Sequence, residues 1–184
     1  MEIQAAQREV RTVFVGGFFG QLVSAAVWLA AAALGTWRSP RSSILAAVVG
    51  GFFIFPLTKL LLRLSGRPSA LPRGNPLNSL GMEVAFVLLF SMLLLIPVGL
   101  FRLNWFFPAL LILVGAHYLP FVFLYGMRLF AGLAAAMLAA GILIAMYASS
   151  WFSSGAWVGG LLLLLASFLG RAAVRDPQSR RVSA

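Results

Sequence analysis

The chain has 184 residues, of which 61% are hydrophobic and only 10% are charged, and its formal net charge is +10. A soluble domain carries about a quarter charged residues, so this composition excludes an ordinary water-soluble globular protein. The sequence contains no cysteine, which excludes disulfides, thiolate catalysis and cysteine metal sites.

Six long apolar stretches follow one another along the chain. Each can cross roughly 30 Å of hydrocarbon, which takes about 20 helical residues. Because a backbone in lipid must satisfy its own hydrogen bonds, each stretch predicts a helix. The predicted fold class is all-α, a single integral membrane domain over residues 1–184, with residues 1–11 as a polar tail. The predicted spans are approximately 12–36, 43–63, 79–101, 105–126, 129–149 and 156–172.

The basic residues divide unevenly between the two sides of such a bundle. Eleven lie on the side of the N-terminus: Arg8, Arg11, Lys59, Arg63, Arg67, Arg73, Arg128, Arg171, Arg175, Arg180 and Arg181. Only Arg38, Arg41 and Arg102 lie on the other side. Since cytoplasmic loops retain Lys and Arg beside anionic headgroups, this bias predicts cytoplasmic termini and membrane lipids as partners. We expect no nucleic-acid partner, because no aromatic-basic stripe lies outside the spans.

Small residues recur at four-residue spacing on several spans. Such faces let helix backbones approach closely in a membrane. They leave two interpretations open: packing within the bundle, or an interface with a second copy or a partner membrane protein. The sets are Gly16, Gly20 and Ser24; Gly132, Ala136 and Ala140; and Gly155 and Gly159.

One pentapeptide occurs twice, as Val15-Gly-Gly-Phe-Phe19 and as Val49-Gly-Gly-Phe-Phe53. It could mark an internal duplication. Coincidence is the favoured interpretation, because glycine and phenylalanine are common in this chain and the flanking sequences diverge.

Two polar side chains lie near the predicted midplane of the membrane, where unpaired polar groups are costly. His117 is the single histidine and lies about twelve residues into span 4, or roughly 18 Å deep at 1.5 Å per residue. Gln21 lies about nine residues into span 1, or roughly 14 Å deep. If spans 1 and 4 are neighbours, the two side chains could form a binding site or a proton relay. The alternative is a neutral histidine that is satisfied within the bundle.

A proline follows His117 within the same span. Pro120 cannot donate a hydrogen bond to the carbonyl of Ala116, so that carbonyl is freed beside the imidazole. Transporters place substrate sites at such broken helices, although prolines also kink membrane helices without lining any site. Tyr118 and Tyr125 add hydroxyl groups to the candidate ligand-binding set.

An ion pair is predicted at the cytoplasmic ends of spans 2 and 3. Glu83 is the single acidic residue within a span, and Lys59 lies at a comparable depth. Arg128 is an alternative partner for Glu83. In the other interpretation Lys59 reaches outward to the headgroups, and the helix N-terminus stabilises Glu83.

The spans lack the residues that common catalytic sites require. One histidine and one intramembrane carboxylate do not form a typical zinc site, and no Gly-x-Ser-x-Gly elbow or phosphate-binding loop occurs in the sequence. We therefore expect no metal and no cofactor, and the sequence leans away from an enzyme.

Two motifs resemble those of a family of small, uncharacterised bacterial membrane proteins, known only as a domain of unknown function. The first is Asn75-Pro76-Leu77-Asn78-Ser79-Leu80-Gly81, which also reads as a helix start with Asn75 as N-cap. The second is Gly115-Ala116-His117-Tyr118-Leu119-Pro120-Phe121, followed by Tyr125. The resemblance implies a polytopic protein of the bacterial cytoplasmic (inner) membrane, and it implies no activity.

Three functions fit these observations. The leading hypothesis is a bundle that binds or transports a small apolar molecule, with His117, Tyr118 and Gln21 facing the interior. The second is a membrane-embedded scaffold or assembly subunit without a ligand. The third is an enzyme that acts on lipid, with Glu83 or His117 as acid or base; no activated nucleophile accompanies them.

Overall fold

The computed structural model describes residues 2–175, and within this range it is built from helices without strands. The prediction of an all-α bundle with six membrane-spanning helices is confirmed. The α-helices are α1 (Ile3–Val13), α2 (Phe18–Trp37), α3 (Pro40–Leu64), α4 (Leu77–Ser91), α5 (Leu95–Phe101), α6 (Phe106–His117), α7 (Leu119–Tyr125), α8 (Leu129–Tyr147) and α9 (Ser154–Arg175). Arg180 and Arg181, which contribute to the predicted charge bias, lie outside the described residues.

Short 3₁₀ turns join some of these helices into longer ones, so that six are long and apolar enough to cross a membrane. We number them spans 1 to 6: Val15–Trp37, Pro40–Leu64, Leu77–Phe101, Leu103–Tyr125, Leu129–Tyr147 and Ser154–Val174. Helix breaks interrupt span 3 between Ser91 and Leu95 and span 4 at Tyr118. Pro97 and Pro120 follow these two breaks, as expected for residues that cannot continue the backbone hydrogen bonding of a helix.

Span 6 lies at the centre of the packing. It contacts spans 1, 4 and 5, while span 2 packs against span 1 and span 3 packs against span 4. Spans 2 and 3 are therefore peripheral. Only 6% of the apolar window of span 2 and 11% of that of span 3 is buried inside the protein, against 44% for spans 1 and 4. The apolar side chains on these two spans suit a hydrocarbon environment.

Small residues bring the central helices together. A Cβ atom at Gly159 would clash with the ring of Trp28, and one at Gly155 would lie 2.9 Å from Cβ of Phe107. These contacts within the chain favour the intramolecular interpretation of the small-residue face of span 6. On span 5, a Cβ placed at Gly132 would meet no described atom beyond its own stretch of helix within 4 Å, whereas Ala136 and Ala140 on the same face are partly buried.

The N-terminal segment, which the sequence predicts as a polar tail, forms an amphipathic helix. In α1, Ala6, Val10 and Val13 are buried and lie on one face at the spacing of an amphipathic helix. A left-handed turn at Val15, Gly16 and Gly17, with φ angles of 53°, 64° and 85°, separates α1 from α2.

The repeated pentapeptide has two conformations, because Gly16 lies in this turn whereas Gly50 lies within the regular helix of span 2. This difference favours coincidence over duplication.

Candidate functional site

Four aromatic rings form a cluster at the junction of spans 4 and 5. Tyr118, Phe121 and Tyr125 lie on one face of span 4, because they are three and four residues apart. The ring centroid of Tyr125 lies 4.7 Å from that of Phe130, and the centroids of Phe121 and Tyr125 are 5.8 Å apart in a stacked arrangement. Phe130 is fully buried. It packs against Tyr118 and Tyr125, the two tyrosines of the predicted ligand-binding set.

The helix of span 4 is broken within this cluster. Helix α6 ends at His117 and α7 begins at Leu119. The N–H of Tyr118 donates to the carbonyls of Val114 and Gly115, at 3.2 and 3.1 Å. A short interruption of the helix is therefore present beside His117.

His117 lies at the edge of the cluster that faces span 3. Its ring centroid lies 5.0 Å from that of Phe121, and its side chain approaches the backbone of Val84. The residue is half-buried, and its Nδ1 atom is buried without a hydrogen-bond partner among the described residues. The imidazole thus contributes to the interface between spans 3 and 4.

Gln21 lies in the first turn of α2, close to Gly17. Its side chain is only 3% exposed, and neither Oε1 nor Nε2 has a hydrogen-bond partner in the part of the chain that the structure describes. Gln21 and Phe130 flank the backbone of Gly17, since a Cβ there would lie 3.7 Å from Cδ of Gln21 and 3.2 Å from Cζ of Phe130. A buried amide left unpaired costs about 1–3 kcal/mol.

The structure brings the predicted ligand-binding residues together in part. The rings of Tyr118 and Tyr125 pack against Phe130, and Gln21 and Phe130 both lie near Gly17, whereas Gln21 and His117 share no hydrogen bond. The site itself stays a prediction. Sequence reasoning missed Phe130, because one phenylalanine among sixteen carries no local signal of a role.

The structure does not bring the three residues of the predicted ion pair together. The ammonium of Lys59 lies over the ring of Phe55 on its own helix, 4.5 Å from the centroid. Glu83 and Arg128 are exposed. The geometry agrees with the alternative interpretation, in which Lys59 reaches outward and Glu83 lies near the start of span 3.

Asn75 anchors the start of span 3 to α1. Its Nδ2 atom donates to Oε2 of Glu9 at 2.7 Å and to the carbonyl of Ala6 at 3.2 Å. Its Oδ1 atom accepts from the N–H of Leu77, the first residue of α4, at 2.9 Å. The N-cap position of α4 is occupied by Pro76, one residue later than the sequence predicts. One buried carboxamide therefore binds the start of α4 and fixes the position of α1.

Helix α1 is also anchored to the end of span 4. Nη1 of Arg11 donates to the carbonyl of Tyr125 at 2.7 Å, and Nε2 of Gln7 donates to the carbonyl of Phe123 at 2.6 Å. Gly126 ends α7 in a left-handed conformation with a φ of 59°. A cation at a helix C-terminus also interacts favourably with the helix dipole.

The comparisons with known proteins identify a family. The model of a family of unknown function, DUF7010, matches residues 3–171. The chain belongs to this family. The match includes α1 and reaches into the last turns of span 6, so DUF7010 describes the N-terminal helix and the six-span bundle as one unit. No curated protein and no solved structure matches the chain.

Proposed function

We propose that this DUF7010 protein binds a small, largely apolar molecule within its helix bundle, beside Gln21. One observation carries the proposal: Gln21 is almost fully buried, and neither polar atom of its carboxamide is paired within the described chain. Native proteins pair nearly all buried polar groups, and an unpaired group therefore requires an explanation. A ligand that supplies the missing hydrogen bonds provides one.

The aromatic cluster near Gln21 indicates the chemistry of such a ligand. Phe130 lies near Gln21 beside Gly17, and the rings of Tyr118 and Tyr125 extend the aromatic surface beyond Phe130, which favours an apolar molecule. A carboxamide supplies two donors and one acceptor, and it carries no charge. The matching ligand is neutral and mostly apolar, with a carbonyl or hydroxyl group for the amide of Gln21. The broken helix at Tyr118 supports a site at this depth, as in the discontinuous helices of transporters.

The orientation is part of the proposal. The excess of basic residues on the side of the termini supports cytoplasmic termini in a bacterial inner membrane. Arg8, Arg11, Arg63, Arg73 and Arg128 lie on that side of the bundle, close to the ends of spans 1 to 5. The site beside Gln21 then lies closer to the cytoplasmic surface than to the outer one.

Native mass spectrometry of protein released from its own membrane tests this function. We expect a bound small molecule on the wild-type protein and loss of most of it in Gln21→Met, which keeps the length and volume of the side chain. Gln4→Met is the matched control, because Gln4 is exposed on α1. Wild-type protein without a bound molecule, or equal occupancy in Gln21→Met, contradicts the proposal.

A second candidate function is an assembly subunit. It is favoured by the open space at Gly132 and by the low burial of spans 2 and 3. A partner membrane helix could pack on these surfaces, since small residues permit close approach. Crosslinking in native membranes tests it. A partner should be recovered from wild-type protein and lost in Gly132→Leu, whereas purely monomeric protein would argue against an assembly role.

A further inference from the structure

We infer that helix α1 is a latch that closes the cytoplasmic side of the bundle over the site beside Gln21. The latch is a property of the fold; its role as an entry gate rests on the proposed function. Three features support the inference: a hinge behind α1, a set of side-chain hydrogen bonds that hold it down, and a direct path from those bonds to Gln21.

The hinge is the left-handed turn between α1 and span 1. Val15, Gly16 and Gly17 all have positive φ angles, of 53°, 64° and 85°. A β-branched residue rarely adopts this conformation, so Val15 is held there by its surroundings. Gly16 is pressed against the backbone of Gly170 in span 6, where a Cβ atom would clash. The turn is fixed on the bundle side, and α1 extends from it as one rigid element. Hinges are typically such short segments at the end of an element.

Side-chain hydrogen bonds hold α1 against the bundle at two points. Asn75 holds the middle of α1 through Glu9 and Ala6, and Arg11 holds its last turn through Tyr125. Partial burial, followed by the charge of Arg8, lowers the pKa of Arg11 from its ordinary value. An arginine guanidinium nevertheless stays protonated in proteins. It is partly removed from water when α1 is docked, and the backbone carbonyls compensate for the lost hydration.

A chain of contacts connects these hydrogen bonds with the candidate site beside Gln21. The carbonyl of Tyr125 accepts the hydrogen bond from Arg11, and the ring of Tyr125 packs on Phe130. Phe130 and Gln21 in turn flank Gly17, the last residue of the hinge. Undocking of α1 would therefore release the cytoplasmic end of span 4 and loosen the backbone next to Gln21. One movement would open the cluster toward the cytoplasmic surface.

Cysteine labelling of full-length protein in lipid nanodiscs tests the latch, and the absence of native cysteines makes the readout specific. The reporter is Val10→Cys, because Val10 is 3% exposed in α1. We expect a water-soluble maleimide to label it slowly. Adding Asn75→Ala or Arg11→Ala should accelerate labelling about tenfold, the factor for losing roughly one charge-assisted hydrogen bond. Arg8→Ala is the matched control on the exposed side of α1 and should change the rate less than twofold.

A second reporter separates opening of the latch from unfolding. Ala32→Cys lies in the buried outer half of span 1, far along the helix from α1. It should stay unlabelled in the Asn75→Ala and Arg11→Ala backgrounds. Equal labelling of Val10→Cys in all backgrounds overturns the latch. Labelling of both reporters also overturns it, because the hydrogen bonds would then support the whole fold.

Native mass spectrometry then tests the gate separately from the latch. If a molecule is bound to wild-type protein, its loss on dilution into empty nanodiscs should be about tenfold faster in Arg11→Ala and unchanged in Arg8→Ala. Equal loss rates overturn the gate while leaving the binding site intact. Absence of any bound molecule from wild-type protein overturns the gate together with the proposed function, and the cysteine labelling still decides the latch.

Discussion

Asn75 and Glu9 are joined by a 2.7 Å hydrogen bond, although 66 positions separate them in the sequence. This bond places the first turn of span 3 against α1. Arg11, two residues further along α1, binds the last turn of span 4. Helix α1 therefore fixes the ends of both spans that lie on the side of the N-terminus. It brings the motif at 75–81 close to the end of span 4, which follows the motif at 115–121.

Asn75→Ala should destabilise the protein by about 2–3 kcal/mol, because it removes the hydrogen bond to the start of α4 and two hydrogen bonds to α1 at once. For a chain of this size the melting temperature in detergent should fall by roughly 4–12 °C. Asn78→Ala is the matched control, since Asn78 is exposed in the same motif. It should stay within about 0.5 kcal/mol of wild type. Equal melting temperatures for the two variants would show that the Asn75 contacts contribute little.

Gln21→Met should raise the melting temperature of the empty protein. The substitution removes a buried carboxamide that has no partner, and such a group costs about 1–3 kcal/mol. Gln7→Met should do the opposite, because Nε2 of Gln7 makes a 2.6 Å hydrogen bond to the carbonyl of Phe123. Scanning fluorimetry after removal of small molecules by detergent exchange measures both. A drop for Gln21→Met would show that its amide is satisfied in solution.

Gly50 and Gly51 offer a matched pair in one helix. A Cβ at Gly50 would lie 2.6 Å from Cγ1 of Val27 in span 1, whereas a Cβ at Gly51 meets nothing within 4 Å. Gly50→Ala should therefore separate spans 1 and 2 and cost about 1–3 kcal/mol. Gly51→Ala should be neutral or slightly stabilising, because alanine favours the helix over glycine by up to about 1 kcal/mol. Similar unfolding midpoints for both variants would contradict the close packing of spans 1 and 2.

The sequence predicts the spans well because hydropathy is a local property, and each span carries its own signal. It also predicts that a helix begins next to Asn75, since an Asn-Pro pair before an apolar run is a local pattern. The hydrogen bond from Asn75 to Glu9 could not be predicted, because no local sequence pattern indicates a partner 66 positions away. The depth of Gln21 and His117 in the membrane could be estimated from their positions along the spans. The neighbouring helix that each side chain faces depends on how the spans pack, and the sequence does not give that packing. A shared site of the two residues therefore stays a prediction, and they share no hydrogen bond in the described structure.

Helix α1 shows the opposite case, because its sequence contains the spacing of an amphipathic helix but its many polar residues obscure that pattern. Ala6, Val10 and Val13 have helical spacing, but Glu2, Gln4, Gln7, Arg8 and Glu9 between and before them make the segment read as polar. A short amphipathic helix gains its stability from the surface it docks on. That surface is formed by residues from spans 3 and 4, which lie far away in the sequence.

The orientation of the bundle is open to a direct test with two single cysteines. Ala70→Cys lies in the exposed connection between spans 2 and 3, and Ser150→Cys lies in the exposed turn between spans 5 and 6. With both termini in the cytoplasm, a membrane-impermeant maleimide added to intact cells should label Ser150→Cys and leave Ala70→Cys unmodified until the membrane is disrupted. An odd number of crossings separates the two positions, so they must lie on opposite sides if every span crosses. Labelling of Ala70→Cys from outside would invert the orientation and place the α1 latch on the outer surface. Labelling of both from outside would mean that one of spans 3 to 5 does not cross.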